Sequence, residues 1–212
     1  MQQYLDVIRR VLDTGQRKNN RTGVDTLSTF NVNYQIDLRE GFPLLTTKEI
    51  SWKNIVVENL WFLSGDTRID LLRKHGCKFW EPWADEDGLV PSAYGNFWRN
   101  YPVHTDGEAT FNDQIRYVIN ELKQNPQSRR LVVSAWAPGN AQTSALPPCH
   151  AFWVMNVQQD ATGEPMLCLH LTQRSCDIAL GLPYNIAGYA FLLELMARFT
   201  GIKPGYFGHT LI

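Results

Sequence analysis

The sequence predicts an α+β fold around a sizeable mixed sheet. Three observations carry this. Leu131–Trp136, Ala151–Gln158 and Met166–Thr172 read as strands. Strands and helices alternate too irregularly along the chain for a doubly wound parallel sheet. No GxGxxG or Walker-type loop is present.

The elements follow in chain order. Tyr4, Leu5, Ile8, Val11 and Leu12 recur at helical spacing, with Gly15 as the stop. After the polar stretch QRKNNRTG, Thr26–Leu38 has the β-branched and aromatic content of one extended strand, broken by Gly41 and Pro43. Ser51 is placed to cap an apolar helix over Trp52–Leu63 that ends near Gly65. Arg68–Lys74 reads as a short helix. Residues 75–109 are irregular and rich in Trp, Tyr, Asn, Pro and Gly, and loop regions this long often carry function. Phe111–Gln124 reads as a helix ending before Asn125-Pro126. Past the three strands, Gly181-Leu-Pro-Tyr forms a turn with Pro183 near a helix start. Asn185–Thr200 is then a long apolar helix stopped by Gly201. No repeat, low-complexity segment or linker interrupts residues 1–212, so one domain is expected.

The chain has 212 residues, enough to bury roughly 70% of its unfolded surface without covalent staples. A net charge of −1 gives no general field for nucleic acid or an anionic membrane, so an anion site must come from a local Arg or Lys cluster. Cys77, Cys149, Cys168 and Cys176 form neither a CxxC pair nor a Cys/His metal spacing, so no metal site is expected. The amphipathic N-terminus lacks the apolar core of a signal peptide, and no apolar run approaches the roughly 20 residues of a membrane span. The expectation is a cytoplasmic protein with its cysteines reduced.

Several residues admit both a chemical and a structural reading. Cys149, in LPPCHAFWV, is a buried core thiol or a nucleophile whose thiolate needs cationic neighbours. His150 is adjacent but points the other way if the segment is extended. Arg21, Arg129–Arg130 and Arg174 each lie beside a hydroxyl or amide residue, as in surface ion pairs or a phosphate or carboxylate site. Glu58, within VVENLWFL, either faces solvent or is partly buried with a raised pKa and a proton-transfer role. Asp177 is a structural cap or a hydrogen-bond anchor. Trp80, Trp83, Tyr94 and Trp98 are core or a stacking wall for a flat ligand. Asn185 is a helix cap or an amide that reads the edge of a base.

Together these residues resemble the thymidylate synthase family. NRTGVDTL, GFPLLTTK, ENLWFLSGDT, FWEPWADEDG, AYGNFWR, PQSRRLVVSAW, LPPCHAFW and QRSCDIALGLPYNIAGYA match in family order across almost the whole chain. The resemblance implies a large bent sheet serving as a back-to-back homodimer interface. It also implies conversion of dUMP to dTMP with 5,10-methylenetetrahydrofolate as one-carbon donor and reductant. Cys149 corresponds to the nucleophile that adds to pyrimidine C6, with Arg174 near the sulfur. Arg21, Arg174 and Ser175 correspond to phosphate ligands, and Arg129 and Arg130 to a pair reaching the other subunit's site. Glu58 corresponds to the carboxylate that organises proton transfer, and Tyr94 to a residue tied to proton removal from C5. Trp80 corresponds to the folate-side indole and Asp177 to the pterin anchor. Lys48 lies in a segment near the folate tail. Asn185 corresponds to the reader of the uracil N3 and O4 edge, with His150 and Gln173 on the substrate side.

Two alternatives accompany this reading: a dUMP hydroxymethylase on the same scaffold, and a catalytically silent nucleotide-binding relative. The departures are VPSAYG before Tyr94, Tyr184 where Phe is common, and Gly188. The family continues for roughly another 50 residues beyond GYFGHTLI. That segment carries a His-x-Tyr pair for the deoxyribose and a closing tail, so a C-terminally shortened form is expected.

Overall fold

The computed structural model describes residues 1–20, 23–104, 107, 109–142 and 144–212. In chain order the elements are α1 (Gln2–Thr14), β1 (Gln16–Lys18), β2 (Thr26–Ser28), β3 (Val32–Asp37), α2 (Trp52–Ser64) and α3 (Asp70–Lys74). They continue with α4 (Tyr94–Arg99), β4 (Tyr101–His104), β5 (Ala109–Asn112), α5 (Gln114–Gln124) and β6 (Val132–Ser134). The last are β7 (His150–Gln159), β8 (Pro165–Gln173), α6 (Leu182–Thr200) and β9 (Lys203–Leu211). No described helix is long and apolar enough to cross a membrane.

Five strands form the main sheet in the order β3-β9-β8-β7-β6. β8 and β9 run parallel, and the other neighbours antiparallel, so the α+β mixed sheet is as expected. A parallel pair needs a crossover, and α6 supplies it. Alternate residues of β7, β8 and β9 pack inward: Trp153, Met155, Leu169, Leu171 and Phe207 are buried with Ile186, Tyr189 and Leu193 of α6. The opposite face leaves Phe152, Gln158 and His170 exposed.

Several local expectations need correction. Thr26–Leu38 is not one strand. Asn31 takes a left-handed φ of 61°, and the chain divides there into β2, which pairs with β1, and β3, which joins the main sheet. The helix read over Phe111–Gln124 starts only at Gln114. Asp113 caps it by accepting from the Arg116 amide at 3.0 Å, while Phe111 belongs to β5. Within the stretch read as irregular, residues 94–99 form α4. Asp113 also accepts from Arg99 at 2.9 and 2.8 Å, tying α4 to α5. Arg68 precedes the short helix α3, and Asn185 sits one turn inside α6 rather than at its start. β9 carries none of the polar/apolar alternation of a half-buried strand. Its inward positions include Gly205 and His209 beside Phe207 and Leu211, and these conceal it in the sequence.

Two buried contacts fix the frame that holds the cleft. Gln114 Nε2 donates to the carbonyls of Phe97 and Ser134, each at 2.8 Å, while its Oε1 accepts from Ser134 N at 2.9 Å. One side chain thus joins α4, α5 and β6. Gly95 lets α4 lie directly on α2, because a Cβ there would stand 2.2 Å from the Phe62 carbonyl oxygen. Gly95→Ala should therefore cost about 1–3 kcal/mol and lower the melting temperature. Gly139→Ala, where a new Cβ meets nothing within 4 Å, should stay within about 0.5 kcal/mol. Equal melting of the two variants contradicts the close approach.

Candidate active site

The helix α2 is bounded as its sequence dictates. Ser51 Oγ accepts from Asn54 N at 3.3 Å, and Gly65 closes the other end with φ 75°. Its apolar face enters the core through Ile55, Trp61 and Phe62, which turns Glu58 toward a neighbouring cleft. There the Trp80 indole N–H donates to Glu58 Oε1 at 2.7 Å. Trp80 and Tyr94 meet edge to face with centroids 5.4 Å apart, and Phe62 packs against both. Trp80 and Tyr94 therefore belong to the core and also line the cleft. Trp98 belongs to the core.

The cleft holds about 700 Å³. Its aromatic and apolar wall includes Phe79, Trp80, Trp83, Leu180 and Tyr184, and its polar groups are Glu58, Lys48, Asp177 and Asn185. Phe79 and Tyr184 make an edge contact at 4.8 Å. A smaller groove of about 500 Å³ shares Trp83 but carries Asp85 as its one ionisable group among the described lining residues. The chemistry is thus concentrated in the larger space.

Asp177 is both cap and wall. Its Oδ1 accepts from the amides of Ala179 and Leu180 at 2.9 and 2.8 Å, and it also lines the cleft. Lys48 Nζ donates to the Ala179 carbonyl, tying its segment to the same turn. Asn185 Oδ1 accepts from Gln173 Nε2 at 3.1 Å.

Cys149 reaches this arrangement through Tyr94, whose hydroxyl oxygen accepts from Cys149 N at 3.3 Å. The two prolines before Cys149 offer carbonyls but no N–H. Arg174 takes both carbonyls: Nε donates to Pro148 O at 2.9 Å, and Nη2 to Pro147 O at 2.6 Å. Its backbone N donates to Cys149 O at 2.9 Å, and its guanidinium lies 5.3 Å from the Trp136 ring centroid. Much of Arg174's donor capacity is spent fixing the loop that carries the sulfur.

Burial raises the Cys149 thiol above the ordinary value. The Arg174 charge and the Tyr94 hydroxyl pull the other way without cancelling it. The expected thiolate stabilisation by Arg174 is present in direction but outweighed. Burial also raises the Glu58 carboxyl to about 7, against the lowering effect of the Trp80 hydrogen bond. His150 is buried, stacks on Tyr94 at 4.4 Å, and is driven down to about 3 by burial, partly offset by Asn185. It is therefore neutral near pH 7.

Other expected site residues lie apart from the cleft wall. Arg129 and Arg130 are exposed between α5 and β6, and Ser175 is exposed beside Arg174. Gln173 is buried under Asn185. Arg21 lies outside the described residues. Among the described residues no group of three or more His, Cys, Asp or Glu could hold a metal ion. The sequence reading missed Phe79 and Leu180 on the wall and Trp136 under Arg174. Aromatic crowding near Trp80 hinted at Phe79, but nothing local marked Trp136.

Peptide-mapped alkylation should give Cys149 a midpoint above that of free cysteine, and Arg174→Gln should move it further up. A midpoint at or below free cysteine, or one unmoved by the substitution, contradicts this balance of burial and charge.

The family model described as Thymidylate synthase matches residues 2–212. A Thymidylate synthase of Haloferax volcanii is 48% identical, aligned over 98% of this chain and 64% of its own length. The chain thus spans about two thirds of that relative. The match runs through every segment that builds the cleft, and the chain belongs to the thymidylate synthase family.

Proposed function

We propose that the chain provides the catalytic face for reductive methylation of dUMP to dTMP with 5,10-methylenetetrahydrofolate. The observation that carries this reading is the meeting of two pairs across Tyr94: Cys149 hydrogen-bonded to its hydroxyl, and Glu58–Trp80 packed against its ring. Cys149 sulfur adds to pyrimidine C6, and the C5=C6 electron pair moves toward C5 and O4. Glu58, raised to about 7, holds or releases a proton near neutral pH and serves the proton movements at O4 and C5, with the Tyr94 hydroxyl nearby. C5 takes up the one-carbon unit and gives up its proton, the hydride completes the methyl group, and departure of the thiolate restores the C5=C6 bond.

The folate supplies the one-carbon unit and the hydride. The aromatic wall suits a flat ring, with Trp80 excluding water and Asp177 and Lys48 as polar contacts. Asn185 reads the uracil edge, supported by Gln173 and His150. Arg21, Arg174 and Ser175 hold phosphate. Arg129 and Arg130, exposed, reach the site of a second subunit in a homodimer. That dimer is supported by Phe152 and Val132 on the open face of the sheet, 38% and 41% exposed.

Incubation of the chain with C5-tritiated dUMP and the folate should release tritium and yield dTMP with dihydrofolate. Hydroxymethyl-dUMP with tetrahydrofolate would establish the hydroxymethylase instead, and dUMP binding without tritium release the silent relative. Cys149→Ser should abolish turnover while retaining dUMP binding; strong residual turnover excludes the nucleophile role.

Glu58 gives a pH signature as well. Its folded pKa exceeds the ordinary 4.5, so stability present below that value is lost as pH rises toward about 7. Glu58→Gln should remove a rate transition near pH 7. It should also melt higher, relative to the unaltered chain, at pH 8 than at pH 4.5. A pH-independent melting difference contradicts the buried carboxyl.

A further inference from the structure

A continuous hydrogen-bonded line crosses three neighbouring strands and ends at the cleft. Tyr34 on β3 lies 2.6 Å, Oη to Nδ1, from His209 on β9, its register partner. His209 Nε2 lies 3.0 Å from Gln173 Oε1 on β8. Gln173 Nε2 lies 3.0 Å from the Ser175 carbonyl and 3.1 Å from Asn185 Oδ1. His209 and Gln173 are both buried, and Asn185 lines the cleft.

The chemistry of the partners permits one arrangement of protons. The Ser175 carbonyl only accepts, so the Gln173 end facing it is the NH2 group. The other end is the oxygen, so His209 Nε2 carries the hydrogen. Burial lowers His209 strongly and keeps it neutral, which leaves Nδ1 bare to accept from the Tyr34 hydroxyl. The second Gln173 N–H requires an acceptor on Asn185, so that branch is Oδ1 and the other branch carries the donors. Turning the Gln173 amide over would set its oxygen against the Ser175 carbonyl and Asn185 Oδ1, and its NH2 against the N–H of His209. Each misplaced group would be buried without a partner.

We propose that Tyr34 and His209 are positioning residues that set pyrimidine specificity by locking the orientation of the Asn185 amide through Gln173. This deepens the proposed function and rests on it. A 4-keto pyrimidine offers an acceptor at position 4 and an N–H at position 3, matching a locked Asn185 donor and its Oδ1, which accepts from Gln173 Nε2 and lies 3.9 Å from Cys176 Sγ. A 4-amino pyrimidine reverses both groups and meets donor against donor. The choice between keto and amino bases is thus made from the far strand, outside the cleft wall.

Two readouts test this on the chain. Nitrogen-15 NMR of labelled histidine, with His209 assigned by its loss in His209→Phe, should show the neutral Nε2–H tautomer; an Nδ1–H tautomer overturns the proposal. Calorimetric binding of dUMP and dCMP gives the selectivity. His209→Phe should lower the dUMP-to-dCMP affinity ratio about tenfold, the worth of one oriented hydrogen bond. Tyr34→Phe, which removes one hydroxyl from a partly exposed residue, should lower it severalfold and serves if His209→Phe fails to fold. A purely structural role would weaken both nucleotides equally, and an unchanged ratio in folded Tyr34→Phe overturns the proposal while leaving the function intact. Failure of the unaltered chain to bind dUMP overturns the function and this specificity together.

Discussion

The Arg174 guanidinium, bonded to the carbonyls of Pro147 and Pro148, is the constraint on which the sulfur's position depends. Prolines restrict the backbone but supply no amide hydrogens, so a segment with two of them must be held through its oxygens. Arg174 does this with two directed bonds, and its own backbone amide takes the next carbonyl, that of Cys149. The cation beside the thiol is therefore first a clamp. Its electrostatic pull on Cys149 follows from a geometry already fixed by hydrogen bonding.

Around that clamp, aromatic packing settles where polar groups may stand. Trp80 donates to Glu58 while its ring packs on Phe62, Trp61 and Tyr94. The carboxyl thus has one fixed partner in surroundings that disfavour its charge, and this keeps it near 7. His150, stacked on Tyr94, is held neutral by the same surroundings. Two titratable groups near one thiol are driven in opposite directions on their scales, yet both toward their uncharged forms.

The parts legible in sequence were those governed by local chemistry. Ser51 and Gly65 marked the ends of α2, and Gly201 closed α6, because caps and left-handed stops have residue preferences. The long strands β7 and β8 emerged within one residue at each end. The strand β9 did not, since two of its inward positions are Gly205 and His209, so its alternating burial leaves no apolar alternation in the sequence. Cys149, Glu58 and Asn185 were visible as chemistry out of place, and their convergence followed from the family resemblance, not from their spacing. It depends on Tyr94, on a strand register and on an arginine reaching back to two carbonyls. Tyr34 and His209 carried no local signal, because their role exists only once three strands are paired.

The position of β9 also governs the order in which the sheet can be assembled. It lies between β3, near the start of the chain, and β8, yet it is synthesised only after α6. Until then the emerging polypeptide presents β3 and β8 as open edges with unpaired backbone groups. Non-local pairing of this kind is slow, and such edges invite association with other chains during translation. The same insertion that completes the hydrogen-bonded line to Asn185 leaves two strand edges unpaired until β9 follows α6.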